Sequence, residues 1–324
     1  MKLKNPLVSI IIPCFNYEQY IEHCIESALA QTYKNIEIIV IDNGSTDASY
    51  AKMQKFSKNK NFKILKFEEN NPPGQQGSFH MGDAIRASKG EYISLLYADD
   101  WYLPEKIEKQ VRLFELSSQS VGLVYCHGYV YHQETGRLED WKMQSVRGYV
   151  FKHSMLHGDI VIPISPLIKR FCYELIGLDN IWTGTEYDCL MLGKYVDFDF
   201  VDEHLVTMRS HKENDAKNSF SVYERVKKFH NIGLLNEDAI SRAGYLVNKR
   251  VSMNHYIYGL TFISSMYLKN GREAIFMSIK LYPFHIFKVK VFVGLLLTFL
   301  PQSLTKIILT TTGKLSPSIS NCDW

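Results

Sequence analysis

The stretch that decides the fold is Ile36-Glu37-Ile38-Ile39-Val40-Ile41-Asp42, an apolar run that ends in a carboxylate. A second run, Tyr92-Ile93-Ser94-Leu95-Leu96, leads in the same way to the adjacent pair Asp99-Asp100. Short apolar runs rich in β-branched residues predict buried strands. In open α/β sheets, ligands bind beyond the carboxyl ends of the strands. Two strands that deliver carboxylates there therefore indicate a site for a nucleotide and a divalent cation.

Around these runs, the first half of the chain alternates between strand and helix patterns. The predicted strands cover residues 7–12, 36–41, 62–67, 91–96 and 121–131. The predicted helices cover residues 20–29, 48–57 and 104–117. Strands separated by helical patterns are typical of βαβ units with right-handed crossovers. We therefore predict an α/β fold with a mixed, mainly parallel sheet flanked by helices.

The second half is less regular. A helical pattern over residues 167–176 ends before Gly177, and a strand-like run covers residues 198–208. After Asn218 only helical patterns occur. We therefore expect an α/β domain over residues 1–215 and a helical C-terminal region over residues 216–324.

Within that region, residues 281–314 are both basic and apolar. They contain no Asp or Glu, and the apolar run 291–300 ends at Pro301. The lysines of the segment are Lys288, Lys290, Lys306 and Lys314. A spanning helix needs about 20 apolar residues, so this run is too short to cross a bilayer. The composition favours a helix in the membrane interface; the alternative is a buried core helix with solvated lysines.

Composition excludes several classes of protein. Of the 324 residues, 46% are hydrophobic and 22% charged, which argues against disorder. The net charge of +3 is too small to indicate nucleic acid by itself. The six cysteines form no C-x-x-C pair, so we expect buried thiols in a reducing compartment. The apolar stretch 7–12 is too short for a signal peptide, which predicts a cytoplasmic protein.

Taken singly, each acidic site has an ordinary explanation. An Asp directly after a strand, as at Asp42, is often a turn or helix-cap residue. The pair Asp99-Asp100 could be a solvated acidic loop. Adjacent carboxylates repel each other unless a cation lies beside them, and Mg²⁺ or Mn²⁺ bound through one or two carboxylates and substrate phosphates supplies that charge.

The combination of motifs is more specific than any one of them. Four segments occur in order, each beside a predicted strand: Pro13-Cys14-Phe15-Asn16-Tyr17, Asp42-Asn43-Gly44-Ser45-Thr46-Asp47, Gly90-Glu91-Tyr92-Ile93 and Tyr97-Ala98-Asp99-Asp100. Together they resemble the family-2 glycosyltransferases, inverting nucleotide-sugar enzymes with the GT-A fold. The resemblance covers roughly residues 6–215.

The resemblance implies roles for particular residues. It assigns nucleotide binding to Pro13, Phe15, Asn16, Tyr17, Asp42, Asn43, Gly44 and Ala98. It assigns a divalent cation, Mn²⁺ or Mg²⁺, to Asp99, Asp100 and His211. From the residues alone, His211 fits an ordinary surface histidine equally well. The chain departs from the family pattern at Asn43 and Tyr97, where the family often has Asp, and at Met81-Gly82, where it often has Arg-Asn.

A catalytic base is expected in Thr185-Glu186-Tyr187-Asp188, which resembles the family's Glu-Asp motif. Inverting transfer needs a carboxylate within reach of the acceptor hydroxyl. The aligned acid is Glu186, with Asp188 as the second candidate. The alternative is that both acids only favour the helix macrodipole.

The resemblance therefore implies transfer of a sugar from a nucleotide-diphosphate sugar to a hydroxyl of a glycan or polyprenyl-linked glycan, with inversion. With the basic C-terminal segment, it suggests bacterial surface-polysaccharide assembly (O-antigen, capsule or exopolysaccharide) at the cytoplasmic membrane surface. A non-catalytic, membrane-peripheral subunit that binds nucleotide sugar or a partner is the alternative, favoured by Tyr97. A sugar nucleotidyltransferase would need a glycine-rich, Arg-containing loop after the first strand, where this chain has Pro13-Cys14-Phe15-Asn16. A dehydrogenase is excluded because no G-x-G-x-x-G follows any strand.

Overall fold

A computed structural model of the chain describes residues 5–72, 77–181, 186–214 and 219–316, with Glu186 described by its backbone only. It divides into two compact units, one of Met1–Ser154 with Asp159–His211 and one of Met155–Gly158 with Lys212–Trp324. We call them the sheet unit and the helical unit.

The described part of the sheet unit contains one nine-stranded mixed sheet. Its strands are β1 (Val8–Cys14), β2 (Ile36–Asn43), β3 (Phe62–Phe67), β4 (Tyr92–Leu95), β5 (Trp101–Tyr102), β6 (Val121–His132), β7 (Arg137–Trp141), β8 (Leu167–Lys169) and β9 (Asp197–Ser210). The spatial order is β3-β2-β1-β4-β8-β6-β9-β5, and β7 pairs with β6.

The α-helices lie between and after these strands. They are α1 (Ile21–Leu29), α2 (Ser49–Gln54), α3 (Met81–Ala87), α4 (Lys106–Leu116), α5 (Phe151–His157), α6 (Arg170–Ile176), α7 (Glu186–Leu192), α8 (Ser219–Phe229), α9 (Glu237–Ala243), α10 (Tyr245–Ser264), α11 (Leu268–Leu281), α12 (Val289–Leu297) and α13 (Gln302–Thr311). A 3₁₀ helix, Pro283–Phe287, joins α11 to α12.

Strand direction brings the functional loops to one edge of the sheet. The strands β1, β2, β3 and β4 are mutually parallel. Two antiparallel steps, β4 to β8 and β8 to β6, restore that direction, and β9 runs parallel to β6. The carboxyl ends of β1, β2, β4 and β9 therefore meet at the same edge.

Apolar burial explains why β2 has almost no polar interruption. Successive side chains of a strand point to opposite faces, and Ile38 and Val40 pack in one core cluster while Ile39 and Ile41 pack in the other. Helices α1 and α4 contribute to the first cluster, and α3, α6 and α7 to the second. Because both faces are covered, the strand must be apolar on both sides.

One predicted helix is partly wrong. The pattern over residues 167–176 predicted a helix throughout, but Leu167–Lys169 forms β8 and only Arg170–Ile176 is helical. Leu167 and Ile168 pair with strands on both sides, β4 and β6. The hydrogen bonds and burial available between two existing strands outweigh a helical pattern that local sequence alone supports.

A buried lysine ties α4 to the strand beneath the site. Lys106 Nζ donates to Ser94 Oγ at 2.8 Å and lies 4.1 Å from the centre of the Tyr102 ring. Burial lowers the pKa of Lys106 to about 7. The contact anchors α4 against β4, the strand that leads into the turn of Asp99 and Asp100.

Candidate active site

The loops after β1 and β2 are joined by hydrogen bonds. Asn16 has a left-handed backbone (φ 54°), which Asn tolerates better than most residues. Its backbone N–H donates to Ser45 Oγ at 3.1 Å, and its Oδ1 accepts from the Thr46 N–H at 2.8 Å. The Tyr17 N–H donates to Ser49 Oγ at 2.9 Å. These bonds hold the two loops together as one rim of the sheet edge.

Asp42 lies below this rim and is fully buried. Its Oδ1 accepts from the Ser45 N–H at 3.1 Å, so the residue does stabilise the turn. Its Oδ2 is buried and has no hydrogen-bond partner among the described residues. A buried carboxylate oxygen without a donor is costly, and a ligand N–H or O–H would satisfy it. The turn explanation accounts for one oxygen of Asp42 and leaves the other available for a ligand.

Asn43 contacts the chain beyond β3. Its Nδ2 donates to Asn70 Oδ1 at 2.7 Å and to the Asn71 carbonyl at 3.0 Å, and its Oδ1 accepts from the Asn71 N–H at 3.0 Å. Gly44 (φ 79°) lies against the same segment, since a Cβ there would come within 2.8 Å of Asn70 N. Both residues thus shape the loop beside the predicted nucleotide pocket.

The remaining residues predicted to bind nucleotide lie along the same edge. Pro13 and Ala98 are buried, and Phe15 and Tyr17 are half-buried. The Tyr17 ring lies edge-on to the His211 ring, with 5.9 Å between their centres. The Tyr17 loop therefore connects the predicted nucleotide end of the site to the predicted metal end.

At that second end, Asp99 and His211 face each other. His211 Nε2 lies 3.1 Å from Asp99 Oδ2, although 112 residues separate them in the chain. Asp99 is 8% exposed and His211 3% exposed. The Asp99-Asp100 turn is therefore not a solvated acidic loop, and His211 is not an ordinary surface histidine.

Asp100 is turned toward the protein. Its Oδ1 accepts from the Arg209 backbone N–H at 2.8 Å, and the side chain is 2% exposed. Burial, with a further contribution from the Asp99 carboxylate, raises the pKa of Asp100 well above its usual value. In the part of the chain that the structure describes, no three His, Cys, Asp or Glu side chains form a complete metal cage.

The donor set nevertheless suits a divalent cation. A carboxylate and an imidazole that meet in a nearly buried position are ligands that Mn²⁺ accepts. Such cations commonly take only one or two protein carboxylates and complete their coordination with water and substrate phosphates. Asp99 and His211 therefore fit as a partial site, whereas Asp100 directs its Oδ1 to the Arg209 backbone.

Arg209 is a site residue that the sequence analysis missed. Its Nε donates to the Asp99 carbonyl at 2.9 Å. Its guanidinium lies over three rings, at 4.8 Å from Tyr20, 5.0 Å from Trp101 and 5.5 Å from Tyr131. Arg209 therefore fixes the backbone of the acidic turn from outside. Its position two residues before His211 was the only signal in the sequence that could have indicated a place in the site.

The two candidate bases both belong to α7. Glu186 is the first residue of α7, and its side chain lies outside the described part of the chain. Asp188, two residues further on, is 1% exposed and lies near Tyr173, whose pKa burial raises. The assignment of Glu186 as the base stays a prediction from the resemblance.

Comparison with known proteins bears on this site. The model of glycosyl transferase family 2 matches residues 9–163. An uncharacterized glycosyltransferase of Rickettsia typhi is 34% identical over 235 residues, or 68% of this chain and 70% of that protein.

Solved structures show the same fold. TarS of S. aureus in complex with UDP superposes with a TM-score of 0.64 at 15% identity, covering 90% of this chain and 89% of that chain. The mannosyltransferase PcManGT of Pyrobaculum calidifontis, in complex with GDP-Man and Mn²⁺, gives a TM-score of 0.53 at 13% identity, covering 95% and 88%. At these identities the likeness concerns the fold alone.

Proposed function

Because the chain belongs to glycosyl transferase family 2 and has the GT-A fold, we propose that it transfers a sugar from a nucleotide-diphosphate sugar to a hydroxyl group with inversion. The observation that carries this proposal is the meeting of two sites at one sheet edge. Asp42 offers a buried oxygen that needs a donor, and the Asp99–His211 pair lies beyond the Tyr17 ring.

At the nucleotide end, Asp42 Oδ2 would accept a hydrogen bond from the base. Hydrogen bonds to a charged group contribute about 1.5–3 kcal/mol. The linked loops of Asn16 and Tyr17 would cover the nucleotide, and Asn43 and Gly44 would fix the neighbouring segment. Preformed polar groups of this kind bind the donor without first having to reorganise.

At the diphosphate end, Asp99 and His211 would hold Mn²⁺ or Mg²⁺ together with phosphate oxygens. Such a cation supplies positive charge that stabilises the leaving diphosphate. Because Asp100 Oδ1 accepts from the Arg209 backbone, we assign Asp100 no direct contact with the cation. Support comes from the donor set, and PcManGT was solved with Mn²⁺.

In the reaction, the acceptor oxygen forms a bond to the anomeric carbon while the bond from that carbon to the diphosphate oxygen breaks. We assign Glu186, the acid aligned with the family's Glu-Asp motif, as the base that takes the acceptor's proton, with Asp188 as the second candidate. The electron pair of the broken bond leaves with the nucleotide diphosphate. Attack from the face opposite the leaving group inverts the anomeric centre.

The acceptor we propose is a glycan or polyprenyl-linked glycan in bacterial surface-polysaccharide assembly, with the enzyme on the cytoplasmic face of the membrane. The basic, apolar segment of residues 281–314 supports this location. A lipid-linked acceptor lies at such a surface, where a peripheral enzyme can reach it.

The proposal is tested with a panel of UDP- and GDP-sugars, with Mn²⁺ and a polyprenyl-linked acceptor, by measuring nucleotide diphosphate release. We expect Asp99→Asn to lower kcat by about 100-fold or more, as loss of a group that stabilises the leaving charge does. Asp42→Asn should weaken nucleotide binding by about 10–100-fold. Asp83→Asn, at an exposed carboxylate of α3, is the matched control and should leave both unchanged.

A second candidate function is a non-catalytic subunit that binds nucleotide sugar. It is favoured by Tyr97 at a position where the family has an acid and by the inward turn of Asp100. If the chain binds a donor but releases no nucleotide diphosphate, and Asp99→Asn binds that donor as the wild type does, this second function is the correct one.

A further inference from the structure

The helical unit exposes an unusual amount of apolar surface. Among the described residues, more than half of the strongly exposed large apolar side chains lie between Phe276 and Ile307. Phe287 is 80% exposed and Val289 75% exposed. Scattered single apolar residues are normal on protein surfaces, whereas a contiguous set marks an interaction surface.

Helix α12 shows how this surface is built. Its residues Val291, Gly294 and Leu297 are buried, and Gly294 approaches α10 so closely that a Cβ would come within 2.9 Å of Leu260 Cδ2. The exposed residues Val289, Phe292, Val293 and Leu296 follow the spacing i, i+3, i+4, i+7. That spacing places them on one face of a helix.

The preceding 3₁₀ helix adds two more exposed aromatic rings close in sequence. Phe284 is 66% exposed, and Phe287 lies two residues before the start of α12. We call the set Phe284, Phe287, Val289, Phe292, Val293 and Leu296 the apolar face. Helix α12 is therefore neither fully buried nor an ordinary surface helix, because its outward side is as apolar as its inward side.

The charged side chains of the segment that carries the apolar face are all of one sign. No Asp or Glu occurs between Ala274 and Cys322. The exposed lysines in that segment include Lys280, Lys290, Lys306 and Lys314. Lysines beside exposed aromatic and aliphatic residues are typical of helices that lie in the headgroup region of a membrane. Each lysine near an anionic lipid surface adds to the attraction, which falls off within a Debye length.

The charge pattern decides between the possible occupants. If two copies of the chain met through the apolar face, Lys290 of each would approach lysines of the other, and the segment offers no acidic side chain to pair with them. An anionic lipid surface offers both an apolar layer and negative headgroups. No described helix is long and apolar enough to cross a membrane.

We propose that the apolar face inserts into the headgroup layer of an anionic membrane and that the surrounding lysines bind its headgroups. The anionic lipid surface is thus the partner for the membrane location given in the proposed function. Its biological purpose rests on that function, but lipid binding itself does not. The side chains that enter the bilayer are the six of the apolar face.

The test uses the full chain and sedimentation with vesicles of phosphatidylcholine alone or with about one third phosphatidylglycerol. We expect at least tenfold tighter binding to the anionic vesicles, weakened by raising NaCl from 0.1 to 0.5 M as screening requires. The double variant Phe287→Ser/Phe292→Ser should lose about tenfold or more of the binding, because two large apolar side chains no longer enter the bilayer. Lys290→Glu/Lys306→Glu should lose the preference for anionic lipid.

The matched control is Leu116→Ser/Leu138→Ser, which removes exposed apolar side chains of the sheet unit (77% and 53% exposed) and should bind vesicles as the wild type does. Circular dichroism and nucleotide binding show that each variant is folded. The proposal is overturned if the Phe287/Phe292 variant binds vesicles normally or if both vesicle types bind equally. It is also overturned if light scattering shows a wild-type dimer that this variant dissociates. Loss of glycosyl transfer with intact vesicle binding would instead count against the proposed function.

Discussion

At the scale of single residues, Arg209 shows how a side chain can shape the site without facing the substrate. Its Nε bond to the Asp99 carbonyl and its stack over Tyr20, Trp101 and Tyr131 hold the acidic turn in place. Arg stacks on rings and donates in a plane, whereas Lys is a compact charge that does neither in the same geometry. Arg209 is thus a positioning residue, since it acts through Asp99.

We expect Arg209→Lys to keep the charge but loosen the turn. The lost hydrogen bond and stack together contribute about 2 kcal/mol, so kcat should fall by about 10–30-fold. The Mn²⁺ concentration for half-maximal activity should rise, which a purely structural role would not cause. Steady-state kinetics with a Mn²⁺ titration measure both values. Arg137→Lys, in the exposed β6–β7 hairpin, is the control; an unchanged Mn²⁺ dependence in Arg209→Lys would contradict the positioning role.

The same residues show what a sequence can and cannot predict about a site. Asp42, Asp99 and Asp100 each follow an apolar run, so their position at a strand end could be predicted. The three aromatic rings around Arg209 could not be predicted, because Tyr20, Trp101 and Tyr131 come from three distant segments of the chain. The inward turn of Asp100 depends likewise on the Arg209 backbone, 109 residues away.

At the scale of elements, the turn after β2 depends on Gly44. Its φ of 79° is a left-handed conformation that favours glycine, and a Cβ would meet backbone atoms of Glu69 and Asn70 at 2.9 and 2.8 Å. We expect Gly44→Ala to lower the free energy of unfolding by about 2–3 kcal/mol, from backbone strain plus the displaced segment. It should also weaken nucleotide binding. Urea denaturation and UDP or GDP titration measure the two effects.

Gly136 supplies the matched comparison for this prediction. It also has a positive φ (67°), but a Cβ there would meet nothing within 4 Å. Gly136→Ala should therefore cost only the backbone strain, about 1 kcal/mol, and leave nucleotide binding unchanged. Equal losses of stability in the two variants would show that the close approach at Gly44 has no energetic consequence.

The elements themselves were largely predictable where burial and periodicity agree. The strand over residues 62–67 was predicted with the bounds that β3 has, and α1 and α4 lie inside their predicted ranges. Strand β8 was not predicted, because a pattern of three residues is too short to outweigh the helical pattern that follows it. Only the pairing of β8 with β4 and β6, far apart in sequence, makes it a strand.

At the scale of the whole molecule, the helical unit has a chemistry of its own, since it buries three histidines. Burial lowers the pKa of His230 to about 3, and the neighbouring His255 and Arg250 contribute to the same shift. It lowers the pKa of His255 to about 4 and of His285 to about 4. His255 Nδ1 lies 2.7 Å from Tyr223 Oη, and His285 Nδ1 lies 2.7 Å from Ser252 Oγ. The folded unit thus keeps all three rings neutral.

This burial makes the helical unit sensitive to acid. In the unfolded chain a histidine has a pKa of about 6.5, so its ring binds a proton as the pH falls below that value. In the folded unit the rings stay neutral until the pH approaches about 4, so acid favours the unfolded state. The stability from the neutral rings is complete above pH 6.5 and is lost as the pH falls toward 4. For three buried rings, the loss between pH 7 and pH 5 is about 3–6 kcal/mol.

Native-state hydrogen exchange, corrected for intrinsic rates, measures this loss in each unit separately. We expect amides of α10 to lose protection between pH 7 and pH 5 while amides of β2 change much less. His255→Gln keeps an acceptor for Tyr223 and cannot titrate, so it should remove about a third of the pH-dependent loss. His157→Gln, at an exposed histidine, should leave it as in the wild type. Equal protection of α10 at both pH values would mean that the buried rings take up protons without unfolding the unit.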